Sequence, residues 1–243
     1  MAIALVQAHD GGFSSTGTAT SALTGIAAGH LLVASMWWNE ASVGADIISL
    51  TDTFGNLYQQ IPNCFIQIVT THFGTMYQRV AYCQNCNGGA GVNTLTAPFS
   101  GAPGFCEVAL QEFSGVATSS CLDVSAGATG TGTTPTVGPV TPTVNNELVF
   151  AVSVSDGSSV FIPVGTGFTT TYGANNAGTG NWTGEYKVQT TATPVTPTFG
   201  PAGVSVQYLA SVAVFSPTPI IIPGQGLGAC ISPDYEWYEG DRF

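Results

Sequence analysis

The sequence predicts an all-β protein. Three observations carry this. Gly and Pro, 31 and 14 residues of 243, punctuate the chain too often for helices of any length. Thr, Val and Ser fill the stretches between them, which suits strands and turns. Short apolar or alternating runs recur along the whole chain, such as LLVASMWW at 31–38, EVALQEF at 107–113, ELVFAVSVS at 147–155 and LASVAVFSP at 209–217.

Ala2–Gln7 reads as a first strand, and the Ser/Thr/Gly-rich stretch Gly11–Gly25 as an exposed strand or loop. Leu31–Trp38 is a continuous apolar run, the pattern of a buried strand. Ile47–Thr51, the turn Asp52–Asn56, and strands at Leu57–Ile61, Phe65–Thr71, Met76–Cys83 and Asn93–Phe99 follow. Gly127–Pro142 reads as a linker or an extended edge strand. Glu147–Ser155 is a second buried strand, and Gly167–Tyr172, Gly184–Gln189, Thr196–Phe199 and Gln207–Phe215 complete the pattern.

The second half echoes the first. His30–Ser42 aligns with Glu147–Ser159 at an offset of 117, Val80 with Val188 at 108, and Phe113 with Phe215 at 102. Each half alone has few strands and little core, so one sandwich is preferred over two in tandem. The expected architecture is a β-sandwich of jelly-roll type with pseudo-duplicated halves over residues 1–216, followed by an extended C-terminal arm, 217–243.

Charge excludes several functions. Charged residues are 7% of the chain, against about 25% in a typical soluble domain. The formal net charge is −11, and Arg79, Lys187 and Arg242 are the whole cation complement. Three cations cannot neutralise a run of phosphates, which argues against nucleic acid and anionic membrane surfaces as partners. No apolar run reaches the roughly 18 residues of a membrane span. The start, MAIALVQAHDGG, lacks the basic region and long apolar run of a signal peptide. The expectation is an export signal already removed, or another exit such as release inside a virus particle.

Catalytic motifs do not emerge. His9, His30 and His72 are scattered, and no G-x-S-x-G elbow is present. Glu107 and Glu112, five apart on one strand, fall on opposite faces and so cannot pair as glycosidase carboxylates. No enzyme activity and no cofactor are expected. Asp52 and Asn56 offer oxygens for calcium, but Asp-x-x-Gly-Asn also makes an Asx turn, the preferred reading.

Cys64, Cys83, Cys86, Cys106, Cys121 and Cys230 are an even set, for which disulfides are favoured over buried thiols or a metal or redox pair at Cys83–Cys86. Trp37, Trp38 and Trp182, with Tyr172 and Tyr186, offer a sugar-stacking platform, with packing in a core or interface preferred. One of the adjacent Trp37 and Trp38 packs in the core, and the other is exposed or covered by something else. Asn181-Trp182-Thr183 fits the N-glycosylation acceptor pattern. In the arm, Ile220, Ile221, Ile222, Tyr235, Trp237, Tyr238 and Phe243 are anchors for an assembly interface.

The motifs GHLLVASMWW, SLTDTFGNLYQQI, ALQEFSGV, CLDVSA and NNELVFAV resemble uncharacterised β-sandwich modules of bacterial secreted and phage-like structural proteins. The resemblance covers roughly residues 2–216. It implies a sandwich in an extracellular setting and transfers no catalytic residue. The expected function is a non-enzymatic structural subunit of an extracellular assembly, a virion surface protein or filament subunit, that self-associates through strand edges and the arm. The alternative is a carbohydrate-binding or adhesion module. Partners are then copies of itself or other subunits, with a glycan as the alternative ligand.

Overall fold

The computed structural model describes residues 2–40, 45–156, 163–175 and 181–219. Every regular element among them is a β-strand: β1 (Ala4–Asp10), β2 (Thr18–Thr24), β3 (Leu31–Glu40), β4 (Thr51–Asp52), β5 (Gln59–Thr70), β6 (Gly74–Cys83), β7 (Val92–Pro98), β8 (Pro103–Ser114), β9 (Leu122–Gly132), β10 (Glu147–Ser155), β11 (Thr169–Asn175), β12 (Asn181–Gln189) and β13 (Val206–Phe215). They form three antiparallel sheets, in the orders β1-β8-β3-β6-β5, β11-β12-β10-β13-β9 and β2-β7-β4.

The two five-stranded sheets pack face to face as a sandwich. Leu31, Val33, Trp37, Val80 and Phe113 of the first meet Leu148, Phe150, Val152, Leu209 and Phe215 of the second. The small sheet covers the other face of the first: Leu32, Ala34, Met36 and Trp38 of β3 pack on Ala19, Leu23, Leu95 and Ala97 of β2 and β7. This explains the unbroken apolar run of β3, a strand wet on neither face. The outer face of the second sheet, with Val149, Ala151 and Val212, is covered instead by Val137, Val140, Val195 and Phe199 from two irregular segments. Those segments are stitched by Val140 N to Val195 O at 3.0 Å and Val195 N to Val140 O at 2.8 Å.

The orders of the two large sheets correspond strand for strand: β1 to β9, β8 to β13, β3 to β10, β6 to β12 and β5 to β11. The register corresponds too. Leu5, Phe113 and Leu31 form one cross-strand row, and Leu122, Phe215 and Leu148 another. Across the sandwich, the Phe113 ring lies 5.4 Å from Tyr186 and the Phe215 ring 5.6 Å from Tyr82. Tyr82 pairs with Val33 and Tyr186 with Phe150, so β6 and β12 align at a spacing of 104 residues rather than the 108 read from Arg79-Val80 and Lys187-Val188. The four-residue difference is even, so the inward face is unchanged. Each large sheet draws its strands from one half of the chain. Within the first half the chain passes back and forth between two sheets, with β1, β3, β6 and β8 in the large sheet and β2, β4 and β7 in the small one.

Two stretches read as separate strands, Leu57–Ile61 and Phe65–Thr71, are one long edge strand, β5. Its register shifts between Gln60 and Phe65, where Asn63 takes a φ of 61°. The Ile47–Thr51 strand shrinks to β4 and a single bridge from Ile47 to Phe99.

Candidate functional site

Gly115, just after β8, brings together the chain segments beside an apolar groove. Its φ is +76°, and a Cβ there would lie 2.4 Å from the Ala2 carbonyl oxygen, so the N-terminal segment crosses against bare backbone. The chain leaving β13 is tied to the same place. Ala117 N donates to Ser216 O at 2.9 Å, Thr218 N to Gly115 O at 2.8 Å, and Thr218 Oγ1 to Val116 O at 3.0 Å. The facing wall is the turn before β10. Buried Glu147 holds both walls, accepting from Val144 N at 3.2 Å and Ser216 Oγ at 2.8 Å. Burial and neighbouring Asp123 push its carboxyl above the ordinary range, and Asp123 in turn accepts from Thr143 N at 2.8 Å and Thr143 Oγ1 at 3.0 Å.

Between these walls is a groove of about 650 Å³ lined by Ala2, Ile3, Val144, Val188, Pro217 and Pro219, with Asn145, Asn146 and Thr218 at its polar positions. None of the described lining side chains is ionisable. The described lining can bury apolar side chains.

Carboxylates elsewhere are spent on the fold. Glu107 and Glu112 do lie on opposite faces. Glu112 accepts from Gln7 Nε2 at 2.6 Å and Ala27 N at 2.9 Å, and its other contact is His30 Nδ1 at 2.6 Å. Glu107 points into the sandwich, accepts from Trp37 Nε1 at 3.0 Å and hydrogen-bonds Asp10. Asp10 accepts from Trp182 Nε1 at 3.3 Å and Gly12 N at 3.0 Å. Burial, then the bond to Asp10, pushes the Glu107 carboxyl up to about 9. The histidines stay apart: His9 contacts Ser21 and His72 contacts Asp156. Among the described residues no three His, Cys, Asp or Glu side chains converge as metal ligands.

The calcium candidates form a closed knot. Asp52 Oδ1 accepts from Phe54 N and Asn56 N, and Oδ2 from Asn56 Nδ2, Tyr58 OH and Asn93 Nδ2, all at 2.8–3.1 Å. Five protein donors occupy the carboxylate, and the contacts are those of an Asx turn.

The sugar-stacking residues are not at the surface. Trp38 is 0% exposed, Trp182 1% and Asn181 1%. Trp37 faces the sandwich and Trp38 the small sheet, so both neighbours are covered. This corrects Trp38 and Trp182 as glycan contacts and Asn181 as a glycosylation acceptor, because a glycan cannot join a side chain the fold encloses.

The disulfide expectation is also corrected. Cys64, Cys83, Cys86, Cys106 and Cys121 are all buried free thiols. They sit in different layers, with Cys64 and Cys121 inside the sandwich and Cys83, Cys86 and Cys106 under the small sheet. Four contact nearby carbonyls, among them Cys86 to Ala27 O at 3.4 Å and Cys106 to Ser14 O at 3.5 Å. Burial pushes their pKa values up to about 11–12, which leaves almost no reactive thiolate at neutral pH. Ellman's reagent at pH 8 is therefore expected to leave these five silent in the native protein and to titrate at least five in guanidinium without reductant. Fewer than five after unfolding would mean bridges.

Cys230 and the arm anchors Ile220, Ile221, Ile222, Tyr235, Trp237, Tyr238 and Phe243 lie outside the described residues. The groove was not foreseen, because its walls come from four separated segments, none with a motif of its own. In comparison with known proteins, no family model, no curated protein and no solved structure matches this chain.

Proposed function

We propose that the chain is a non-enzymatic structural subunit of an extracellular assembly, self-associating through strand edges and its C-terminal arm. The observation that carries this reading is the apolar groove at the point where the arm leaves the sandwich, with Pro219 in its wall and three isoleucines next in sequence. Strand edges add to it. β1, β5, β9 and β11 end their sheets, and β5 exposes Phe65 and Val69, the kind of edge that recruits another chain. Between the two settings, a virion protein is favoured over a filament exported into an oxidising compartment. Five buried thiols suit folding in a reducing cell followed by release. The carbohydrate-binding alternative loses its aromatic platform to the core.

Light scattering and negative-stain microscopy of the full chain, beside a variant lacking residues 232–243, test the proposal. The full chain is expected to form a defined oligomer and the truncated chain to lose it. Equal assembly of both would remove the arm from the reading. A full-length monomer that binds one glycan on an array would establish the rival.

A further inference from the structure

We propose that two copies of this chain exchange halves, the first large sheet of each packing on the second large sheet of the other. The topology carries the inference. Strands β1 to β8 supply the first large sheet and β9 to β13 the second, and among the described residues the segment 115–121 is the covalent connection between them. Turning that one connection outward frees a whole half, and a partner's half then restores every contact of the interface. The tip of the connection is accessible, with Thr118, Ser119 and Ser120 exposed. Ser120 holds a φ of 46°, a left-handed conformation that a residue bearing a Cβ relieves on opening.

The interior decides which face is accepted. Gln78 Oε1 accepts from Ser211 Oγ at 2.7 Å, the Ser35 and Tyr172 hydroxyls meet at 2.6 Å, and Asp10 accepts from Trp182 Nε1 at 3.3 Å. Nearer the edge, Gln207 donates to Val69 O at 2.9 Å and accepts from Thr71 N at 2.9 Å. Each of these bonds joins the first half to the second. The strand-for-strand correspondence shows what a second copy of the first sheet would present in their place: Ala109 for Ser211, Gln78 for Trp182 and Phe105 for Gln207. The buried Gln78 oxygen would lose its hydroxyl donor, and Val69 and Thr71 would meet a phenyl ring. Two first halves therefore match poorly, because polar groups stay unpaired. The favoured product is a reciprocal dimer in which both sandwiches are complete. Its interface is that of the monomer, so concentration and the strain of the connection set the balance.

The test uses the full-length chain with a sequence-specific protease site inserted between Thr118 and Ser119. Light and isotope-labelled chains are unfolded together and refolded at high concentration in reductant. The dimer is isolated, cut in the connection and weighed at once by native mass spectrometry. Exchange is expected to give particles of one first half and one second half, half of them of mixed isotope. Particles of like isotope alone, particles of two first halves, or no dimer would each overturn the proposal. A second measurement needs no insertion. The dimer of the unaltered chain is expected to persist on dilution and to revert to monomer only in guanidinium near the unfolding midpoint, because the core must open. Prompt dissociation on dilution overturns the proposal. The variant lacking residues 232–243 separates exchange from the arm. Exchange is expected to survive that truncation, so assembly lost with the arm leaves it standing, and a failure to exchange leaves the reading of the arm standing.

Discussion

Trp38→Ala is expected to destabilise the protein by about 3–5 kcal/mol, the range for truncating a large buried aromatic. Trp38 lies between the small sheet and the first large sheet. Its ring stacks on Tyr77 at 5.2 Å and 9°, meets Phe99 edge-on at 5.4 Å, and has the Arg79 guanidinium 5.7 Å from its centroid. Its indole N–H donates to Ala45 O at 2.8 Å. The substitution leaves a cavity, removes three aromatic contacts and orphans a carbonyl. Against a total stability of about 5–15 kcal/mol, that brings the fold near its limit. Trp38→Phe keeps most of the stack and loses the hydrogen bond, for about 1–2 kcal/mol. Urea unfolding followed by circular dichroism measures both. A loss below about 1 kcal/mol for Trp38→Ala would show that the small sheet does not cover this face.

The second large effect is with pH. The folded Glu107 carboxyl is raised from 4.5 to about 9 by burial and by its bond to Asp10. Below the unfolded value both states carry the proton, and the contribution to stability is fully present. As pH rises from about 4.5 to 9, the unfolded chain gives up the proton and the folded chain holds it. Stability therefore falls across that window. Glu185, raised to about 7, and Glu147, also raised, act in the same direction, and so does self-repulsion in a chain of net charge −11. Asp52, lowered by its donors against the opposing effect of burial, acts oppositely: its contribution is lost as pH falls below the ordinary carboxylate value of 3.8. The melting temperature is expected to peak in mildly acid solution and to decline toward pH 8–9. Glu107→Gln keeps a donor toward Asp10 and an acceptor for Trp37 and cannot ionise. It is expected to stabilise the protein by about 1–3 kcal/mol at pH 8, to change little at pH 4, and to flatten the decline. Wild-type stability that rises between pH 5 and 8 would contradict the buried acid pair.

The large sheets were legible in the sequence because their central strands are unambiguous. LLVASMWW and ELVFAVSVS have no polar face to offer water, and their offset of 117 is the spacing that aligns Leu31 with Leu148 in the folded sheets. The small sheet was harder to read. TATSALT and VNTLTAP turn Ala19, Ser21, Leu23, Asn93, Leu95 and Ala97 inward, mostly small or polar residues among threonines, and resemble exposed loops in composition. The puzzle of Trp37 beside Trp38 did require something to cover a second face, but pattern alone does not say which segment supplies it. The cysteines misled because an even count says nothing about layer. Cys106 and Cys121, 15 residues apart, end on opposite sides of one sheet. The groove depended on Gly115, Val144 and Ser216 meeting across the chain, which no local window contains.

That each large sheet comes from one half of the chain bears on synthesis. Once Ser114 has left the ribosome, β1 can close on β8 and the first sheet is complete, with its outer face already dressed by β2, β4 and β7. Its inner face, with Trp37, Val33 and Phe113, remains bare until β13 ends about 100 residues later. At elongation rates of about 5–20 residues per second, the nascent chain carries a greasy, strand-edged surface for about 5–20 s. The first half is thus a folded but incomplete body that invites chaperone capture or premature pairing with another unfinished copy, and the second half is the part of the translation product that ends this exposure.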